Sequence, residues 1–570
     1  MFRKSFILTT LLLIGALLLT ACAQTPAPPQ EEPPPTTEAV EPTPTQAEPT
    51  AAPEVKEEVE PTEETMVEEK EEAPEEPAAP RILKVAATSS VTTWDPSASF
   101  STEAIYMANI YEPLLWVNPP GSDKPFTPAL AESWEISEDG TEWVFHLREG
   151  VKFHDGESLT AEAVKKSLER TIELGRGAAY IWGAVDTIEV VDDLTVKITL
   201  TAPAPLDRIA GSLYASWIMS PKAAAQATEW FEEGNEAGSG PYTLASYEPD
   251  AEVVLQAFEA YWGGWEDNQF KTVVVSIVPE QIVQLQMLEG GEVDLALAIP
   301  LESVDDFRND PNYTVHQNTS FANYVGLLNT QKPPLDNKLI RQAIAYAIPY
   351  EDIITVAAEG FAAQARGPVP TGLWPYNDEV FQYHQDLDKA RELLAEAGYA
   401  EGGFELVLTH AAENVQEEKF APLVKDALAQ LGIEVDIQPM LWEQQWELAQ
   451  GSPAEAQDIF LLLWWPTYSD GYDNLYSMFH SEDSPFFNLG YYSNPDFDTL
   501  IDEAHALTSV DPDTSLVKYN EALDILMEDS PSLFFYDVQA VVITPNHIQG
   551  YAYNINYPAV TFFYPLRAAD

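Results

Sequence analysis

Alternation of apolar and polar positions supplies the first landmark in this chain. Trp143, Phe145 and Leu147 alternate with Val144, His146 and Arg148, the period of a strand with one face buried. Glu138-Asp139-Gly140 precedes this run and Asp155-Gly156 follows it. Both read as turns, because glycine accepts φ > 0 at no steric cost. The period then lengthens. Val164, Leu168 and Ile172 recur every four residues and predict one face of a helix. Thr160 fits its N-cap, and Glu162 complements the positive end of its dipole.

The same patterns extend along the chain. Strands are predicted over 83–86 and 273–278, and helices over 103–110 and 280–289. Ile188 and Val190 alternate, Asp192-Asp193 turns, and Leu194, Val196, Ile198 and Leu200 alternate back as a hairpin. Past Asn329, helix and strand patterns take turns. Asp336 is placed to cap a helix with Leu339, Ile340, Ala343, Ile344 and Ala347 on its apolar face. Asp388 is placed to cap another, with Gly398 just past its end. A strand over 404–409, a helix over 420–431 stopped by Gly432, and a strand over 433–438 follow. This alternation predicts an α/β layer with a largely parallel sheet.

The order of residues over 128–170 adds more than periodicity. Ala131-Glu132-Ser133-Trp134 leads into the acidic-glycine turn and the aromatic strand. Arg148-Glu149-Gly150-Val151-Lys152-Phe153-His154-Asp155-Gly156 comes next, and Thr160-Ala161 opens the helix. This stretch resembles the signature of the family 5 extracellular solute-binding proteins, receptors of peptide, nickel-chelate and related ABC importers. The resemblance implies a two-lobed, type II periplasmic-binding-protein-like α/β fold with an extra subdomain in lobe one. It implies lobe one over 81–328 with its subdomain at 117–237, lobe two over 329–532, and a return to lobe one over 533–570. It also implies a monomeric receptor that takes a small solute, a peptide by family default, into the interlobe cleft and passes it to permease subunits. An oligosaccharide or another non-peptide solute is the alternative.

The first residues point to the cell surface. Arg3 and Lys4 precede an apolar run over 6–19, too short to cross a hydrocarbon layer of roughly 30 Å as a helix. Leu19-Thr20-Ala21-Cys22 then resembles a bacterial lipobox, which implies lipidation of Cys22 and an extracytoplasmic, membrane-anchored protein. A cleaved signal peptide with an unrelated cysteine is the plain alternative. Cys22 is the chain's one cysteine, so an internal disulfide and a cysteine metal site are both excluded. Residues 23–80 are rich in Pro, Glu, Thr and Ala and poor in large apolar side chains, which predicts a solvated, stiff tether. Beyond them lie about 490 residues of globular composition, a size natural for more than one core. The formal charge is −65, which disfavours nucleic acid as a partner.

Enzyme chemistry leaves no trace in the sequence. There is no G-x-S-x-G, H-E-x-x-H or G-x-G-x-x-G, and nothing calls for a cofactor. The eight histidines are scattered. A lipid-anchored, carboxylate-dependent glycoside hydrolase is the rival from another class, because such an enzyme needs only a carboxylate pair. A surface adhesion module is a second rival. The expectation is a receptor that catalyses nothing.

Candidate ligand contacts concentrate where an apolar run, 460–465, meets the loop Pro466-Thr467-Tyr468-Ser469-Asp470-Gly471-Tyr472. Strand ends favour ligand sites in α/β proteins. Trp464 and Trp465 are consecutive, and strand alternation sends only one toward the cleft. Trp465 or Tyr468 is the expected wall, with Tyr472 nearby, and core packing is the plain alternative. In the resembled peptide receptors an aspartate here pairs with the peptide's amino group. Thr467 takes that aspartate's place, and Asp470 lies three residues on as its substitute. Arg366, in Ala365-Arg366-Gly367-Pro368, suits either a ligand carboxylate or a neighbouring acid. Trp94, Phe100 and Tyr111 follow from the resemblance alone. Asn323 and Tyr324 lie just before the lobe crossover, where they serve ligand or hinge.

Overall fold

Trp143, Phe145 and Leu147 are buried and Val144 and His146 half-buried, as their alternation requires. The computed structural model describes residues 81–88, 91–482, 485–558 and 560–569. The expected leader and tether, Cys22 included, lie outside the described residues. In chain order the strands used below are Ile82–Ala87 (β1), Ala131–Ile136 (β2), Glu142–Leu147 (β3), Val185–Asp192 (β4), Thr195–Leu200 (β5), Tyr242–Glu248 (β6), Glu252–Ala257 (β7) and Thr272–Ile277 (β8). Then come Leu295–Ala296 (β9), Tyr313–Leu328 (β10), Ala362–Gln364 (β11), Glu405–Ala411 (β12), Glu434–Met440 (β13), Ile459–Trp464 (β14) and Ser532–Pro545 (β15).

Strands β2-β3-β5-β4 form an antiparallel sheet, and helix Ala161–Leu174 packs on β4 and β5. Thr160 caps that helix, its hydroxyl accepting from Ala163 N–H at 3.3 Å, and Gly175 closes it with φ 58°. Val164 and Leu168 are buried, but Ile172 is 37% exposed. Eight residues at 3.6 per turn rotate Ile172 about 80° away from Val164, and Thr171 takes the buried position.

Three sequence-derived element boundaries change. Asn337, not Asp336, caps helix Lys338–Ala347, accepting from Leu339 N–H at 3.0 Å. Asp386, not Asp388, caps Leu387–Glu396, and Asp388 pairs with Arg391 in its first turn. The helix expected from residue 420 is Val415–Ala429, because Asn414 accepts from Gln416 and Glu417 N–H. Short polar side chains compete for these capping positions, and local hydrogen-bond geometry picks the winner.

The main sheet has eleven strands in the order β13-β12-β14-β10-β15-β9-β1-β8-β7-β6, with β11 beside β15. The alternating strands past Asn329, β13-β12-β14, are parallel as expected, whereas the sheet as a whole is mixed. Parallel pairs are β12–β13, β12–β14, β1–β8 and β1–β9. Strands β10 and β15 run antiparallel to each other and to their outer neighbours β14 and β9. These two long strands run antiparallel between two buried cores. Phe321, Val325 and Leu328 of β10 and Leu533 to Tyr536 of β15 lie in the second lobe's core. Ile543, farther along β15, packs with Ala86, Leu285 and Val304 of the first lobe. The chain then runs back along the first lobe, burying Tyr557, Phe563 and Leu566 there. Among the described residues no helix is long and apolar enough to cross a membrane.

Candidate functional site at the lobe interface

Strand β14 is apolar and buried over most of its length and ends at Trp464. Residues 465–470 then form a loop, and Asp470 caps helix Gly471–Phe479 by accepting from Tyr472 N–H at 2.9 Å. This loop meets the first lobe through a set of polar contacts. Tyr180 O–H donates to Asp473 Oδ1 at 2.8 Å, so the Thr467 hydroxyl donates in turn to Tyr180 at 2.6 Å. Thr467 N–H donates to Asp473 Oδ2 at 2.7 Å. Ser212 Oγ donates to the Thr467 carbonyl at 2.7 Å. Arg208 donates to the Ser469 carbonyl at 2.8 Å and lies 3.6 Å from Asp470 Oδ2.

Burial dominates the electrostatics here. Asp470 is fully buried, and desolvation pushes its carboxyl up to about 6 despite the Arg208 guanidinium. Burial pushes Asp473 up to about 7, against the hydrogen bonds from Thr467 and Tyr180. The Tyr180 phenol is raised well above its usual range, first by burial and then by Asp473. Both Asp473 oxygens accept from protein donors, whereas Asp470 Oδ2 has only the Arg208 guanidinium at 3.6 Å.

Beside this contact lies a cavity of about 490 Å³ lined from both lobes. The first lobe contributes Phe100, Ser101 and Gly177. Gly177 has φ 54°, and a Cβ there would lie 2.8 Å from the Ala98 carbonyl oxygen, so the wall needs glycine at that point. The second lobe contributes an aromatic wall. Trp442 and Trp446 lie 5.2 Å apart between centroids, Trp446 and Phe487 5.7 Å, and Trp464 and Phe487 5.4 Å. Phe100 of the first lobe reaches Phe487 at 6.1 Å. Glu443, Glu447 and Thr467 also line the cavity.

Of the residues singled out by sequence, Phe100, Trp464, Trp465 and Thr467 come together here. Both tryptophans reach the cavity, because the strand ends at Trp464 and its alternation no longer governs Trp465. Trp464 is 8% exposed and Trp465 36%. Tyr468 is instead buried in the first lobe's core. Asp470 is enclosed as described. Tyr472 stacks on His505 at 3.7 Å and donates to Asp502. The Arg366 guanidinium donates to the Val380 carbonyl at 3.1 Å and is not among the cavity-lining residues. Trp94 and Tyr111 are core residues of the first lobe, placed there by apolar packing rather than by the cleft. Asn323 donates to the Pro368 carbonyl, and Tyr324 donates to Asn414.

Sequence reasoning passed over Tyr180, Trp442, Trp446, Phe486 and Phe487. Trp442 and Trp446 carried a usable signal, since residues i and i+4 share a helix face, and the helix is Trp442–Ala449. Tyr180 carried none, because its partners are remote in the chain.

A family model described as bacterial extracellular solute-binding proteins, family 5 Middle, matches residues 125–486. Heme-binding protein A of Haemophilus influenzae is 30% identical over 432 residues, spanning 71% of this chain and 77% of that protein. Glutathione-binding protein GsiB of Pectobacterium atrosepticum is 30% identical over 478 residues, spanning 82% of this chain and 90% of that protein. Among solved structures, the ABC transporter-associated periplasmic binding protein DppA from Helicobacter pylori, in complex with peptide STSA, superposes with a TM-score of 0.74. It is 26% identical, and the match covers 86% of this chain and 98% of that one. NikZ from Campylobacter jejuni, in complex with Ni(L-His), shares the fold at a TM-score of 0.72 and 20% identity, covering 85% and 99%. The fold is that of the type II periplasmic binding proteins, and the chain belongs to family 5 of the bacterial extracellular solute-binding proteins, the receptors of ABC importers.

Proposed function

We propose that this receptor captures its solute in the aromatic cavity between the lobes and hands it unchanged to permease subunits. The observation that carries the reading is the cavity itself. Its volume of about 490 Å³ and its lining from both lobes suit a small solute. A ligand that touches both walls favours the closed arrangement through its differential contacts. In this reading Trp465, Trp464, Phe100 and Thr467 touch the solute, and Trp442 and Trp446 join them. Tyr180 positions Thr467. The chain works as a monomer, held at the membrane by a lipid on Cys22.

A peptide gripped by its free amino terminus fits poorly. Thr467 occupies the aspartate's place, its hydroxyl is bonded to Tyr180, and Asp470 is enclosed beside Arg208. Stacking on ring or apolar faces is the recognition that this wall supports. The test is to denature the purified protein and identify any released solute by mass spectrometry. A chemically intact small solute supports the reading. Turnover of that solute by the folded protein, abolished by changing one cavity carboxylate, would replace it with the hydrolase reading.

A further inference from the structure

The cavity has a charge character that the family assignment does not supply. We infer that its solute is an organic cation, an ammonium or guanidinium head on an apolar or planar body. This deepens the receptor reading and rests on it. Four indoles line the cavity, those of Trp442, Trp446, Trp464 and Trp465. Indole faces are the strongest aromatic partners of a cation, and the attraction grows when water is excluded. Two carboxylates join them. Glu443 and Glu447 stand one turn apart on helix Trp442–Ala449 and line the same space. Neither has an ion-pair partner among the described residues. The described residues lining the cavity include no Lys, Arg or His.

These features rank the ligand classes. An anion would face two carboxylates with no cation in the lining to offset them, which disfavours it. A neutral polyol would need several convergent hydrogen-bonding groups. Besides the two carboxylates and the indoles the lining offers only Ser101 and Gln450, since the Thr467 hydroxyl is already committed to Tyr180. A cation gains from the indole faces and from both carboxylates. The net charge of −65 works in the same direction by concentrating cations near the surface. One polar group still lacks a partner. It is Trp464 Nε1–H, buried without an acceptor and shielded from the cavity.

Three probes of similar shape test the inference on the full chain. They are phenethyltrimethylammonium, 2-phenylethanol and 3-phenylpropionate, titrated against tryptophan emission and by calorimetry. The cation should bind at least about tenfold more tightly than either of the others. In E443Q/E447Q, on an exposed helix face, the cation-over-alcohol ratio should fall about tenfold while the melting temperature holds. Loading the protein with an equimolar mixture of the three probes, washing, denaturing and weighing the released species asks the same question by direct competition, and the cation should dominate. Preference for the alcohol or the carboxylate overturns the charge assignment alone. An unchanged ratio in the double variant overturns it too. No response to any probe and no released solute overturns the cavity as the binding site, and this inference with it.

Discussion

The hydroxyls of Tyr180 and Thr467 lie 2.6 Å apart although 287 residues separate them in the chain. Tyr180 packs against the apolar cores of both lobes. Its hydroxyl accepts from Thr467 and donates to Asp473, so one phenol joins the first lobe to the loop that carries Trp465. The contact is partly buried, with Thr467 and Asp473 themselves buried, and a hydrogen bond there is costly to leave unmade.

Tyr180→Phe removes this junction with little change in volume. It should lower unfolding stability by about 1–3 kcal/mol, because Asp473 loses a buried donor. Solute affinity should fall as well, since the closed arrangement loses a contact that the open one lacks. Urea unfolding and calorimetric titration of the same variant check both. No change in either would mean that the phenol's hydrogen bonds contribute nothing.

Adjacent tryptophans should respond differently to truncation. Trp464 is 8% exposed and packs in the second core, so Trp464→Ala should destabilise the empty protein by about 3–5 kcal/mol. Trp465 is 36% exposed. Trp465→Ala should leave the melting temperature nearly unchanged and weaken solute binding by about 1–3 kcal/mol, by analogy with base–aromatic stacking. Comparable loss of stability in both variants would make Trp465 a packing residue instead.

Buried carboxylates set a pH dependence at the interface. Asp473 is raised to about 7 and Asp470 to about 6, each chiefly by burial. The folded state therefore holds protons that the unfolded chain has released. Their contribution to stability is complete below about pH 4 and is lost as pH rises through 6 to 7. Asp473→Asn should flatten that decline by on the order of 1–3 kcal/mol between pH 4.5 and pH 8. Urea unfolding at the two pH values measures it, and an unaltered slope would show that Asp473 titrates like an exposed acid.

Replacing Cys22 tests the anchor. Cys22→Ala should release the protein into the soluble fraction or leave its leader uncleaved. Fractionation with an immunoblot and intact mass distinguishes these outcomes from the native form. A variant that stays membrane-bound and normally processed would exclude lipidation at this residue.

Much of this protein follows from local sequence. Thr160 caps its helix because a hydroxyl there meets the free N–H of Ala163, a relation contained within four residues. Trp143, Phe145 and Leu147 are buried because strand alternation puts them on one face. The ordered stretch over 128–170 carried the family, since residues spaced along one unit keep their order whatever the rest does. Caps such as Asn337 over Asp336 were undetermined, because neighbouring polar side chains offer nearly equal hydrogen bonds.

Tertiary structure alone decided the site. Trp465 lines the cavity because β14 stops one residue earlier, and Tyr468 is buried because its loop reaches into the first lobe's core. Asp470 lies 3.6 Å from Arg208, which is 261 residues upstream of the Ser469 carbonyl it also holds. Part of the mixed direction of the main sheet comes from β10 and β15, which pair antiparallel with each other and with their outer neighbours. The Tyr468, Asp470 and sheet-direction outcomes depend on contacts between residues hundreds of positions apart. Periodicity and capping are short-range properties of the chain. The walls of the cavity are set by long-range packing, which the local pattern does not encode.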